Sequence, residues 1–174
     1  IVLLTALNVL ENFNLKKYQS NSAATYHLLA ESLRRGHNNR SHHVGDPSFY
    51  KTPIETFLSS ERTKQLARNI NFKKASPVSV VKPLSIKNES KDTTHYSIID
   101  DQGNAVSNTY TLGSSFGSGV TIPGTGVLMN NQMNNFAYRY GDESIQGRAA
   151  SPGNRFQPGK RPMSTMAPTM IFNK

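Results

Sequence analysis

The chain has 174 residues, 36% of them hydrophobic and 18% charged, with a formal charge of +9, which is enough for one soluble domain with a core. It contains no cysteine, which excludes disulfides, thiolate metal sites and cysteine nucleophiles. The basic residues are scattered (Lys16, Lys17, Arg34, Arg35, Lys73, Lys74, Lys82, Lys87, Lys160, Arg161), which argues against a nucleic-acid partner.

No apolar run approaches the length of a membrane span. The chain opens on Ile1-Val2-Leu3-Leu4, with neither an initiator Met nor the basic start of a signal peptide. It closes on Met170-Ile171-Phe172-Asn173-Lys174, where a strand would turn. The expectation is an internal piece of a longer protein.

Leu3, Leu7 and Leu10 stand at helical spacing over residues 1–11, with Asn12 and Asn14 as its end. Ser20 to Ser22 offer a cap for a second helix. Its expected core face is Tyr26, Leu29, Ala30 and Leu33, with Gly36 as an interruption and a polar loop over residues 37–47. Thr52-Pro53-Ile54-Glu55 reads as a helix start, with Thr52 as cap and Pro53 at the first helical position. Ser60 to Ile70 reads as a further helix with Leu66 and Ile70 inward. Residues 73–92 turn to Lys, Ser, Pro, Asn and Glu and predict an exposed linker.

From Thr93 the pattern becomes β. Thr94 to Ile99 and Ala105 to Leu112 read as paired strands around Asp100-Asp101-Gln102-Gly103-Asn104, which is turn chemistry. Five glycines between Gly113 and Gly126 allow tight turns or close backbone approach. Val127-Leu128-Met129 reads as a short buried strand, residues 137–162 as polar loop and Thr169 to Phe172 as a strand. Helices first and paired strands after predict an α+β fold, with residues 1–92 and 93–174 as its two parts.

Four groups could carry chemistry. Thr93 is the first. A threonine hydroxyl needs a base beside it, and an N-terminal threonine supplies one in its own α-amino group, with a pKa of about 7.7–8.0. Read this way, Thr93 is a nucleophile held in waiting until the bond after Asp92 opens; read blandly, it only starts a strand. Second, His37, His42 and His43 lack a familiar metal spacing and read as loop. On a strand His95 alternates away from its immediate neighbours, so packing or a hydrogen bond is its expected role. Third, the run Gly113-Ser114-Ser115-Phe116-Gly117-Ser118-Gly119 lacks the Lys-Ser/Thr ending of a phosphate loop. Fourth, adjacent Ser164 and Thr165, fixed by Pro162, could hold a carboxylate. No metal or cofactor is expected.

Taken together and in order, several stretches resemble the γ-glutamyltranspeptidase family. They are Thr93-Thr94-His95-Tyr96-Ser97, Asp101-Gln102-Gly103-Asn104-Ala105-Val106, Thr109-Tyr110-Thr111-Leu112, Phe116-Gly117-Ser118-Gly119, Asn130-Asn131-Gln132-Met133 and Lys160-Arg161-Pro162-Met163-Ser164-Thr165-Met166-Ala167-Pro168-Thr169. Upstream, Gly45-Asp46-Pro47 and Leu10-Glu11-Asn12 match as well. The resemblance implies part of an N-terminal-nucleophile hydrolase fold, an αββα sandwich. It implies self-cleavage between Asp92 and Thr93 into a large and a small subunit, Thr93 as nucleophile and Thr111 as its orienting partner. It further implies that Gln132 and Asn135 hold the substrate's α-amino group, and that Ser164 and Thr165 hold its α-carboxylate. Glutathione or another γ-glutamyl compound would be the donor, and water, an amino acid or a peptide the acceptor. A periplasmic or secreted bacterial protein is the implied setting.

Three departures qualify that picture, one of them mild: Thr165 replaces a usual serine and keeps the hydroxyl. Gly113 stands where the family usually has Asn, and Asn135 where it usually has Asp, the anion for the substrate ammonium. A charged hydrogen bond contributes about 1.5–3 kcal/mol against about 1 for a neutral one. Recognition of a free α-amino group should therefore weaken by about one to two powers of ten at the upper end. A glutaryl- or cephalosporin-type acylase on the same machinery is the first alternative, and an uncleaved inactive homologue the second. The family's carboxylate-gripping arginine and its oxyanion Gly-Gly pair lie outside these residues, so the chain alone is expected to be inactive.

Overall fold

The computed structural model describes residues 1–77, 93–137 and 151–173. Residues 78–92, most of the expected linker and Asp92 with it, lie outside the described residues, as do 138–150 of the expected polar loop.

Among the described residues four α-helices come first: α1 (Val2–Leu10), α2 (Ala23–His43), α3 (Ile54–Leu58) and α4 (Ser60–Arg68). One antiparallel hairpin follows, β1 (Thr93–Ile99) and β2 (Ala105–Thr111). The α+β expectation holds, with helices before Thr93 and antiparallel strands after it.

α1, α2 and α4 enclose Val9, Leu10, Leu28, Ala67 and Ile70, with Phe13, Tyr18 and Leu66 packed against them. Asn12 ends α1 by donating from Nδ2 to the Asn8 carbonyl at 2.8 Å. Ser22 caps α2, its Oγ accepting from the Thr25 amide at 3.3 Å. Ser59 does the same for α4, accepting from the Arg62 amide at 3.2 Å.

Several expectations are corrected. α2 runs through Gly36 to His43, so residues 37–43 are helix rather than loop. Gly36 does not break α2; it lets α1 approach, since a Cβ there would lie 2.6 Å from the Val2 carbonyl oxygen. The buried face of α2 is Leu28, Glu31, Ser32, Arg35, Gly36, Asn39 and Arg40, while Tyr26, Leu29, Ala30 and Leu33 are exposed. The two charged side chains at its centre, Glu31 and Arg35, go inward because they are paired there. Glu31 meets Arg35 at 2.5 Å and Arg34 at 2.9 Å. It also accepts from the Ser76 amide at 3.1 Å and the Ser76 hydroxyl at 2.5 Å, while Arg35 donates to the Leu66 and Asn69 carbonyls, both at 3.0 Å. This cluster ties the chain after α4 back to α2, so the start of the expected linker is anchored at Ser76.

In α1, the residues Leu3, Leu4 and Leu7 are exposed and Thr5 and Ala6 take the inward face instead. Pro53, not Thr52, precedes α3, and no side chain caps it. Val127 and Met129 are exposed, and this stretch pairs back on residues 118–122 through an isolated bridge, Thr121 to Leu128, without forming a strand among the described residues. Thr169 to Phe172 forms no strand among the described residues, and Ile171 and Phe172 are exposed.

Candidate functional site

The register of the hairpin sets the first part of the site. Thr93 pairs with Thr111, His95 with Thr109 and Ser97 with Ser107. Alternation along a strand puts these six on one face. His95 sits within this polar row, with Nδ1 at 2.7 Å from the Thr109 hydroxyl and Nε2 at 3.2 Å from the Ser97 hydroxyl. That is the hydrogen-bonded role expected of it. Thr93 is exposed at the open end of the hairpin, and across from it Thr111 Oγ1 accepts from the Gly113 amide at 2.9 Å. With its lone pair so engaged, the Thr111 hydroxyl keeps its proton free to donate.

The second part begins directly after β2. Gly113 has φ +96°, a conformation that favours glycine. The Asn131 side-chain oxygen occupies the space a Cβ at 113 would need. This explains physically why glycine stands here. Asn131 is held by its amide to the Leu112 carbonyl at 2.8 Å and by Nδ2 to the Ser114 hydroxyl at 2.6 Å. Gln132 and Asn135 then lie on one 3-10 turn (Gln132–Asn135), where Asn135 Nδ2 donates to Gln132 Oε1. Asn135 is buried, and its Nδ2 serves this turn.

Ser164 and Thr165 lie elsewhere, exposed on an irregular stretch. They line a cavity of about 1370 Å³, which is also bordered by the start of α1, by Arg34, His37 and Arg40 of α2, and by Asp46 and Arg161. Thr93 does not line it. The structure thus pairs Thr93 with Thr111 and Gln132 with Asn135, and sets Ser164 with Thr165 in a separate cavity. A polar chain links the last two groups. Asn154 is fully buried; it donates from Nδ2 to the Asn135 carbonyl at 2.6 Å and accepts from the Met163 amide on Oδ1 at 3.0 Å.

Sequence reasoning missed the contacts that hold the cavity wall. Asp46 accepts from Arg161 three times: the amide at 2.8 Å and Nε at 3.1 Å on Oδ2, and Nη2 at 2.8 Å on Oδ1. These bonds from the Arg161 side chain and amide hold the Asp46 carboxyl well below the usual carboxylate range. Arg40 Nη2 donates to the Ser164 carbonyl at 3.0 Å. Both acidic and basic partners were quoted in the motifs above, but nothing local in the sequence joins residues so far apart. As for the histidines, His42 Nδ1 lies 2.9 Å from the Asn38 carbonyl within α2. Among the described residues, no group of three or more His, Cys, Asp or Glu is placed to hold a metal ion.

Residues 1–174 match the family described as gamma-glutamyltranspeptidase. The chain belongs to the γ-glutamyltranspeptidase family. It is similar to the glutathione hydrolase proenzyme of Escherichia coli (strain K12), 40% identical over 95% of this chain and 29% of that protein. It is also similar to the acylase ACY 1 proenzyme of Pseudomonas sp. (strain SE83), 37% identical over 97% of this chain and 28% of that protein. Among solved structures it superposes on a cephalosporin acylase from Bacillus halodurans with a TM-score of 0.69 at 27% identity, covering 95% of this chain and 27% of that one. The fold is therefore that of part of an N-terminal-nucleophile hydrolase. The chain spans under a third of the length of these similar proteins.

Proposed function

We propose that the parent protein is a γ-glutamyltranspeptidase-like acyl transferase and hydrolase acting through Thr93. The observation that carries this reading is the cross-strand pairing of Thr93 with Thr111 at the exposed end of the hairpin. In the precursor the Thr93 hydroxyl attacks the Asp92 carbonyl, the acyl group shifts from N to O, and water hydrolyses the ester. That leaves Thr93 with a free α-amino group. The amine then takes the hydroxyl proton as Thr93 Oγ1 attacks the γ-glutamyl carbonyl of the donor, and returns it to the leaving amine. The resulting ester passes its acyl group to water, an amino acid or a peptide. Thr111, donating its hydroxyl proton, orients Thr93 Oγ1. By the family resemblance Ser164 and Thr165 take the donor's α-carboxylate, and Gln132 and Asn135 its α-amino group, Asn135 through its Oδ1, since its Nδ2 is bound to Gln132.

Glutathione is the donor this reading takes first, supported by the naming of the E. coli relative. The remaining segments of the same protein complete the two subunits around this chain. A periplasmic or secreted location goes with the family resemblance and is tested by fractionating cells that express the parent.

A second reading, a glutaryl- or cephalosporin-type acylase, is supported by Asn135. It presents an amide already engaged with Gln132, and so offers no anion to a substrate ammonium. The acylase relatives point the same way.

One experiment addresses cleavage and another the donor. A denaturing gel of the full-length parent should show two bands, the smaller beginning at Thr93 by mass spectrometry; one uncut band would leave only a non-catalytic homologue. Turnover of glutathione against its deaminated glutaryl analogue then separates the readings. A strong glutathione preference that Asn135→Asp leaves unchanged would exclude the acylase reading.

A further inference from the structure

Residues 161–166 form neither helix nor strand, so no ladder of backbone bonds fixes their course. They are held instead at three points. Asp46 grips Arg161 by both its guanidinium and its backbone amide. Asn154 Oδ1 takes the Met163 amide at 3.0 Å. Arg40 Nη2 donates to the Ser164 carbonyl at 3.0 Å. Asp46 and Arg40 are both buried, 5% and 8% exposed, at the end of α2 and just beyond it. Asp46 is itself fixed, Oδ1 accepting from the Ser48 amide at 3.1 Å. A planar guanidinium fork on a carboxylate defines orientation as well as distance. Because one carboxylate binds both the Arg161 side chain and its amide, it sets the direction in which the chain leaves residue 161. Three residues on, Ser164 and Thr165 border the cavity. The Ser164 hydroxyl accepts from the Met166 amide at 3.1 Å, which leaves its proton available to donate.

We infer that Asp46 and Arg40 are positioning residues for the Ser164–Thr165 carboxylate-binding pair. The two precede Thr93 and the pair follows it, so the carboxylate reader is built from both sides of the cut. This rests on the proposed function, which assigns the pair its ligand. It adds a consequence: the small subunit alone does not hold its own reader in register, and substrate selection depends on the end of the large subunit.

The test uses the full-length parent with two donors, a γ-glutamyl anilide and the same compound with its α-carboxylate converted to a carboxamide. Asp46→Asn keeps size and loses the charge. Arg161→Lys keeps the backbone contact and loses the fork, at a side chain that is 71% exposed and so tolerant in folding. In Asp46→Asn, KM for the carboxylate donor should rise on the order of ten- to a hundredfold, the scale of losing a charge-assisted hydrogen bond to that carboxylate. KM for the carboxamide should change by less than about twofold, and kcat should stay within about twofold on both. Arg161→Lys should show the same selective effect at about threefold, and Asp46→Glu should restore part of the wild-type KM. Equal KM changes on both donors, or none in the Arg161→Lys variant, would overturn the positioning role while leaving the acyl-transfer reading intact. Wild-type parent that turns over neither donor would overturn that reading and this inference with it.

Discussion

Before Thr93 the side chains close on one another; after it most of them face outward. α1, α2 and α4 bury Val9, Leu10 and Leu28 with Ala67 and Ile70, and keep the Glu31–Arg35 pair inside. All seven residues of β1 are exposed. On the hairpin face opposite Thr93, Tyr96, Ile98, Val106 and Tyr110 are 42–57% exposed. An isolated two-stranded hairpin is marginal in water. The helical part thus carries its own interior, whereas the hairpin displays two faces, one bearing hydroxyls and His95 and one apolar. Stability resides in the first part and the proposed chemistry in the second, and the two respond to different substitutions.

The sharpest separation is Thr93→Ala in the full-length parent. Cleavage should stop and turnover should fall by on the order of 10³-fold or more, since no other group combines hydroxyl and amine. Thermal melting of the helical part should stay where it was. If cleavage and turnover survive, the hairpin does not hold the nucleophile.

Leu28→Ala should do the reverse. Leu28 is 1% exposed at the centre of the helical cluster. Removing it should cost about 2–5 kcal/mol in denaturant unfolding, because its surroundings relax only partly into the space. The cut at Thr93 should still occur in whatever fraction remains folded.

The buried ion cluster gives a pH signature confined to the helical part. Burial alone would raise the Glu31 carboxyl, but hydrogen bonds from the Ser76 and Arg35 side chains and from the Ser76 amide outweigh it and hold it at about 2. A folded pKa below the unfolded value of about 4.3 means that the unfolded chain binds the proton first. The contribution of Glu31 is therefore complete above about pH 4.3 and is lost as pH falls towards about 2. Urea midpoints measured across that window should decline in the wild type and decline less steeply in Glu31→Gln. Parallel curves would show that the cluster contributes nothing through its charge.

What was legible in the sequence follows the same division, in the opposite sense. The hairpin was legible, because alternation and the Asp100–Asn104 turn are local. Asp100 accepts from the Gln102 and Asn104 amides at 3.0 and 2.8 Å within that loop. The Ser22 cap was legible for the same reason. The buried face of α2 was not. Periodicity selects Tyr26, Leu29 and Leu33, whereas packing selected a face whose Glu31 and Arg35 are acceptable inside only as partners. Gly36 read as an interruption because nothing in the sequence announces the Val2 carbonyl beside it. At the site, Thr93 and Thr111 were legible as a pair only through resemblance, and the register then placed them opposite one another. The Asp46–Arg161 contact joins residues 115 positions apart, beyond any local signal.

The smallest expected effect examines the outward half directly. Ile98 is 57% exposed and lies opposite Val106 on the apolar face of the hairpin. Ile98→Thr keeps the β-branched shape and removes apolar surface, so local strand preference is nearly unchanged. In the 174-residue chain, where that side chain already faces water, unfolding should shift by no more than about 0.5 kcal/mol. In the full-length parent the outcome differs if the remaining segments cover this face, because the hydroxyl would then be buried without a partner, at about 1–3 kcal/mol. Equal small shifts in both would mean that the face stays exposed in the assembled protein, and that the hairpin's open side is a surface of the parent protein rather than part of its interior. A shift in the parent alone would show that the hairpin owes its packing to chain beyond these residues, while α1, α2 and α4 owe theirs to one another.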